Sequence, residues 1–136
     1  EKLGALALGM PDGEVVKMLG APAKSTKAIL MEATGEWLIE RSWPDKGLSL
    51  GMFSGDKTGP WVLGSITARA PCRLATAKGI RIGSFAADVA KAYAKEHSAE
   101  ESVKGQCFVA GSIYGGVIFD LKEGVVTRIF MGAAAE

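Results

Sequence analysis

The sequence predicts an α+β fold of two tandem α-β-β-β repeats, forming an antiparallel sheet with helices packed on one face. Two observations predict it. The stretch Leu8-Gly9-Met10-Pro11-Asp12-Gly13-Glu14-Val15-Val16-Lys17-Met18-Leu19-Gly20 is echoed by Ile82-Gly83-Ser84-Phe85-Ala86-Ala87-Asp88-Val89-Ala90-Lys91-Ala92-Tyr93-Ala94, with apolar residue, Gly, acid, Val, Lys and large apolar residue in register. Each copy is then followed by three runs of strand character separated by turn residues. A repeat at this spacing implies two copies of one supersecondary unit, expected over residues 1–70 and 71–136. A chain near 70 residues buries only about 60% of its unfolded surface, so the halves are expected to depend on each other as one compact unit.

In the first repeat, Pro11 is tolerated at a first helical position because its missing N–H would be an orphan there. Gly20-Ala21-Pro22 supplies the Gly-then-Pro ending of a helix, which is expected near 11–19. Strands follow at Glu36-Trp37-Leu38-Ile39-Glu40-Arg41-Ser42-Trp43, Leu48-Ser49-Leu50-Gly51-Met52-Phe53 and Trp61-Val62-Leu63-Gly64-Ser65-Ile66-Thr67-Ala68. Pro44-Asp45-Lys46-Gly47 and the Gly-rich stretch ending in Pro60 punctuate them as turns, an antiparallel meander. The second half repeats the plan. Ser84 is the expected N-cap of a helix over about 85–96, and strands are expected near 104–114, 116–122 and 124–131. Tyr114-Gly115-Gly116 and Lys122-Glu123-Gly124 read as hairpin turns in which Gly supplies positive φ.

The pattern Leu8-Gly9-Met10, Glu14-Val15, Leu19-Gly20-Ala21-Pro22, with an aromatic-rich strand and a hairpin carrying Gly47-Leu48, resembles the repeat unit of the beta-lactamase inhibitory protein fold. It is similar also to that of the small outer-membrane assembly lipoproteins related to that fold. Lys78-Gly79-Ile80-Arg81-Ile82-Gly83 with Val89 and Tyr93 looks like the second copy. Two departures stand out: Pro11 replaces the Ser or Thr that often caps the first helix, and the second helix ends in Ala94-Lys95-Glu96 where a Gly is usual. The resemblance implies an exported, periplasmic or cell-surface protein that binds other proteins without catalysis, inhibitor-like or envelope-associated. The alternative it implies is a structural lipoprotein component of envelope assembly. No lactamase-binding residue carries over, because those contacts lie on loops outside the matching motif.

Composition narrows the function classes. Apolar residues make up 48% and charged residues 23% of the 136, the balance of a folded globular domain. Sixteen basic and fifteen acidic residues leave a formal +1, with no long-range field to steer the chain onto nucleic acid or an anionic membrane. No apolar run approaches the roughly 18 to 20 residues that span a bilayer. The chain begins at Glu1 rather than Met, compatible with a removed secretory signal or a leader bearing a lipid anchor. There is no Asn, hence no N-glycosylation sequon.

Chemistry-bearing residues are sparse. Cys72 and Cys107 suit either one disulfide in an oxidising compartment or two reduced thiols. The single histidine, His97, stands at a helix end and is expected to be solvated. A small hydrolase using a Cys–His pair is the remaining catalytic alternative, but neither cysteine lies in an elbow or at a helix N-terminus that would lower its pKa. One His and two Cys without C-x-x-C spacing serve zinc poorly, and no phosphate-binding glycine motif occurs. Asp12 with Glu14, and Glu100-Glu101, read as helix-end acids. No catalytic residue, metal or cofactor is therefore expected.

The aromatic residues are the better candidates. Trp37, Ile39, Arg41 and Trp43 share one face of their strand, and Leu38, Glu40 and Ser42 the other. Trp, Tyr and Arg dominate protein–protein hot spots. The candidate docking set is therefore Trp37, Arg41, Trp43, Phe53 and Trp61, with a core role for the tryptophans the other reading. The expected function is non-enzymatic binding of another protein across the open face of the sheet.

Overall fold

A computed structural model describes residues 2–100, 102–111 and 116–132. The chain opens with a two-strand ladder, β1 (Lys2–Leu3) and β2 (Leu6–Ala7), followed by helix α1 (Asp12–Leu19). Short strands β3 (Lys24–Ser25) and β4 (Ile29–Met31) lead into the meander β5 (Glu36–Trp43), β6 (Leu48–Ser54) and β7 (Val62–Arg69). Helix α2 (Ala86–Ala92) precedes β8 (Cys107–Ala110), β9 (Val117–Lys122) and β10 (Val125–Met131). Eight strands form one antiparallel sheet in the order β3-β5-β6-β7-β10-β9-β8, with β4 also pairing β5. The two meanders meet along β7 and β10, where Ala68 faces Ile129.

The expectation of an α+β fold with helices packed on one face is corrected by these proportions: among the described residues the structure is mostly β, 43% strand against 14% helix. The reason is reach. Helices of 8 and 7 residues are only about 12 Å long at 1.5 Å per residue, whereas strands spaced about 4.8 Å apart make the sheet's seven-strand path roughly 30 Å wide. Each helix contributes one fully buried residue, Val15 and Val89. Strand side chains supply most of the core, joined by Leu3 and Leu6 of the ladder and by Cys72, Ile80 and Tyr93 of the connections. One continuous row crosses the sheet by register: Trp43, Leu48, Ala68, Ile129, Phe119 and Phe108. All six are buried.

Local departures have local causes. α2 ends at Ala92, short of the expected 96, because Tyr93 turns its ring into the core, 1% exposed and 5.2 Å from Phe119. Ser84 does not cap that helix: its Oγ accepts the Arg81 N–H, and Phe85 takes the cap position. The strand expected over 104–114 starts only at Cys107, after a turn in which Cys107 N–H donates to Val103 O. Glu123 and Gly124 both have positive φ, 53° and 79°, the geometry of a tight two-residue hairpin turn. The Tyr114-Gly115-Gly116 turn lies outside the described residues except for Gly116.

Gly47 shows why a glycine closes the first hairpin. Its φ is 66°, and a Cβ there would run into the Arg69 carbonyl and the Cys72 N–H, both backbone groups that cannot swing away.

Candidate functional site

The register settles which face of β5 meets the core. Ile39 lies opposite the fully buried Met52, and Trp43 opposite Leu48. The face bearing the tryptophans is thus the inner one. Trp43 is 2% exposed and its Nε1 donates to Gly20 O at 3.1 Å. Arg41 is bound to Asp12 of α1, and its Nη1 donates to Ser25 Oγ. Trp61 packs against the core, its carbonyl accepting the Asp12 N–H. Trp37, half-buried at the start of β5, has the Lys57 ammonium 5.6 Å from its ring centre. Phe53, opposite Leu38, is the member of the candidate set that lies on the outer face.

That outer face carries a groove of about 480 Å³. Leu38, Phe53, Val62, Met31 and Phe130 give it an apolar floor, with Ser65, Gly64, Glu36, Glu40 and Arg128 around them. Two strand glycines shape it. A Cβ on Gly64 would strike the Phe53 ring, and one on Gly51 would strike Ser65 Oγ and touch the same ring. The phenyl ring therefore lies flat across bare backbone. The pairing slips beside it: Gly51 faces Ser65 whereas Met52 faces Leu63, so Gly64 is the extra residue of a β-bulge.

Charge in the groove is uneven. Arg128 Nη1 donates to Asp120 Oδ2 at 3.2 Å, and its guanidinium carbon sits 5.2 Å from the Phe130 ring centre. Glu36 and Glu40, on the same strand face with Leu38 between them, form no ion pair among the described residues. The groove is apolar at its floor and acidic along β5.

The cysteines are not bridged. Cys72 is buried beyond the end of β7, whereas Cys107 opens the edge strand β8 with β10 and β9 between. Three strand spacings amount to about 14 Å, twice the Cα separation a disulfide tolerates. Burial pushes the Cys72 thiol above its ordinary value, and a hydrogen bond from the Leu74 backbone opposes this. His97 and Cys107 line one cavity, with the imidazole exposed and stacked on Phe108 at 4.3 Å and 16° between planes. Cys72 is remote from it. Among the described residues, no three His, Cys, Asp or Glu side chains converge as a metal site, and no helix is long and apolar enough to cross a membrane.

Sequence reasoning did not single out the groove residues Glu36, Leu38, Glu40, Arg128 and Phe130, because it followed the tryptophans, which β5 carries on its inner face. The available signal was Gly51 and Gly64: a glycine inside a strand marks a bulge or a close approach. No protein-family model, curated protein or solved structure matches the chain.

Proposed function

We propose that this protein is a non-enzymatic binding protein that engages another protein along the outer face of its sheet. The observation that carries the reading is the groove: Leu38, Phe53 and Phe130 lie together on a sheet face that, among the described residues, no helix covers. An apolar floor inside a polar rim is the anatomy of a docking surface. Glu36 and Glu40 select for the partner's charge, so the segment that docks carries Lys or Arg on either side of its apolar residues. The resemblance in the sequence supports export and a place in the cell envelope for this work, with assembly of envelope components as the structural variant of the same binding role.

The test is site-specific photocrosslinking. A photoreactive phenylalanine analogue at Phe53 should capture a discrete partner, and the same group at Met18, outside the groove, should not. Glu36→Lys/Glu40→Lys should abolish capture while leaving the thermal midpoint unchanged. Equal crosslinking from both positions, or capture indifferent to the charge reversal, would overturn the reading.

A further inference from the structure

We propose that the gap between α2 and the β8–β9 edge is a binding site for a small apolar carboxylate, separate from the groove on the outer face. The cavity measures about 650 Å³, within the range of roughly 300–1,000 Å³ typical of small-molecule sites. One wall is the face of α2 bearing Ala86 and Ala90, continued by Ala94. Residues four apart on a helix share a face, and methyl side chains leave room that longer ones would fill. Leu121 and Phe108 add further apolar surface, and the stacked His97 ring extends it.

The opposite wall, from the connection before β8, is polar. It brings Ser102 and Lys104 to the cavity. Ser102 Oγ accepts the Val109 N–H at 2.9 Å, which fixes the hydroxyl and leaves its proton to be given. Lys104 forms no ion pair, and no carboxylate lines the cavity, among the described residues. An ammonium with no counter-ion among the described residues, beside an apolar wall, complements a molecule with an apolar body and one anionic end. The apolar body lies on the alanine wall, and the carboxylate receives hydrogen bonds from Lys104 and Ser102.

The probe pair is 2-naphthoate and its neutral counterpart 2-naphthamide, titrated by calorimetry and by two-dimensional NMR on the intact chain. Naphthoate should saturate and shift the resonances of Ala90, Ala94 and Leu121. Lys104→Gln should weaken naphthoate about tenfold, the size of one charge-assisted hydrogen bond, and leave naphthamide unchanged. Ala90→Leu, at an exposed helix position, should abolish binding of both with the thermal midpoint retained. The proposal fails if naphthoate does not saturate, if it shifts resonances elsewhere, or if Ala90→Leu binds it normally. Equal affinities for the acid and the amide would overturn the anionic class, and a dimer that covers these resonances would assign the face to a second copy instead. None of these outcomes bears on the groove.

Discussion

Asp12 and Arg41, 29 residues apart, hold the start of α1 against β5: Arg41 Nη2 donates to Asp12 Oδ2 at 3.1 Å, and Nε lies 3.0 Å from Oδ1. The second approach is a charge contact and not an aligned hydrogen bond. Two residues further along β5, Trp43 Nε1 takes the carbonyl of Gly20 at the other end of the helix. A helix of eight residues is marginal by itself, so α1 is held at both ends by one strand face.

Asp12→Ala should cost about 1–3 kcal/mol, because it leaves the Arg41 guanidinium, 20% exposed, without its carboxylate. Urea unfolding gives the value. The double variant Asp12→Ala/Arg41→Met should recover part of it, since removing both partners leaves no stranded charge. A single variant as stable as the parent would show that the pair contributes nothing.

Trp43→Phe should destabilise by about 1–3 kcal/mol through the lost indole N–H and the unpaired Gly20 carbonyl, and Trp43→Ala by about 3–5 kcal/mol through the cavity it opens. Chemical denaturation separates the two. The folded Trp43→Phe protein should still crosslink its partner from position 53, because the indole lies beneath the sheet. Loss of crosslinking from a stably folded variant would instead give this side chain a part in docking.

Stability should fall at alkaline pH in a manner traceable to Cys72. Burial raises the folded thiol above its ordinary value of 9.0, with the Leu74 backbone hydrogen bond opposing. Above that ordinary value the unfolded chain has released its proton while the folded chain still holds one. The unfolded state then binds fewer protons, and stability declines as pH rises toward the folded value. The fall in thermal midpoint between pH 8 and pH 10 should be smaller in Cys72→Ala than in the parent, groups common to both cancelling. Parallel profiles would refute the linkage.

The first meander was legible because its signals are local. Pro44 and Gly47 end one strand and start the next, and alternation along 36–43 assigned Trp37, Ile39, Arg41 and Trp43 to one face correctly. What alternation leaves open is which face meets the core. That was decided by Met52 opposite Ile39 and by α1 anchoring on Arg41, contacts with partners far away in sequence. The short strands β3 and β4 escaped notice for a related reason: Lys24-Ser25 and Ile29-Leu30-Met31 are too brief to show a period, and they are strands because β5 offers a free edge to pair with.

The sequence alone determined the order of helices and meanders, the turns at Gly47 and Gly124 and the parity of β5, since these rest on backbone sterics and nearest-neighbour alternation. Tertiary structure decided how little the helices cover, which face of the sheet lies outside, and that Phe53 rests on Gly64 beside Phe130. It also separated Cys72 from Cys107. Those features arise from strand pairings and from α1 anchoring on β5, and where the partners lie far apart, as β7 and β10 do by some sixty positions, the join leaves no trace in either stretch read by itself.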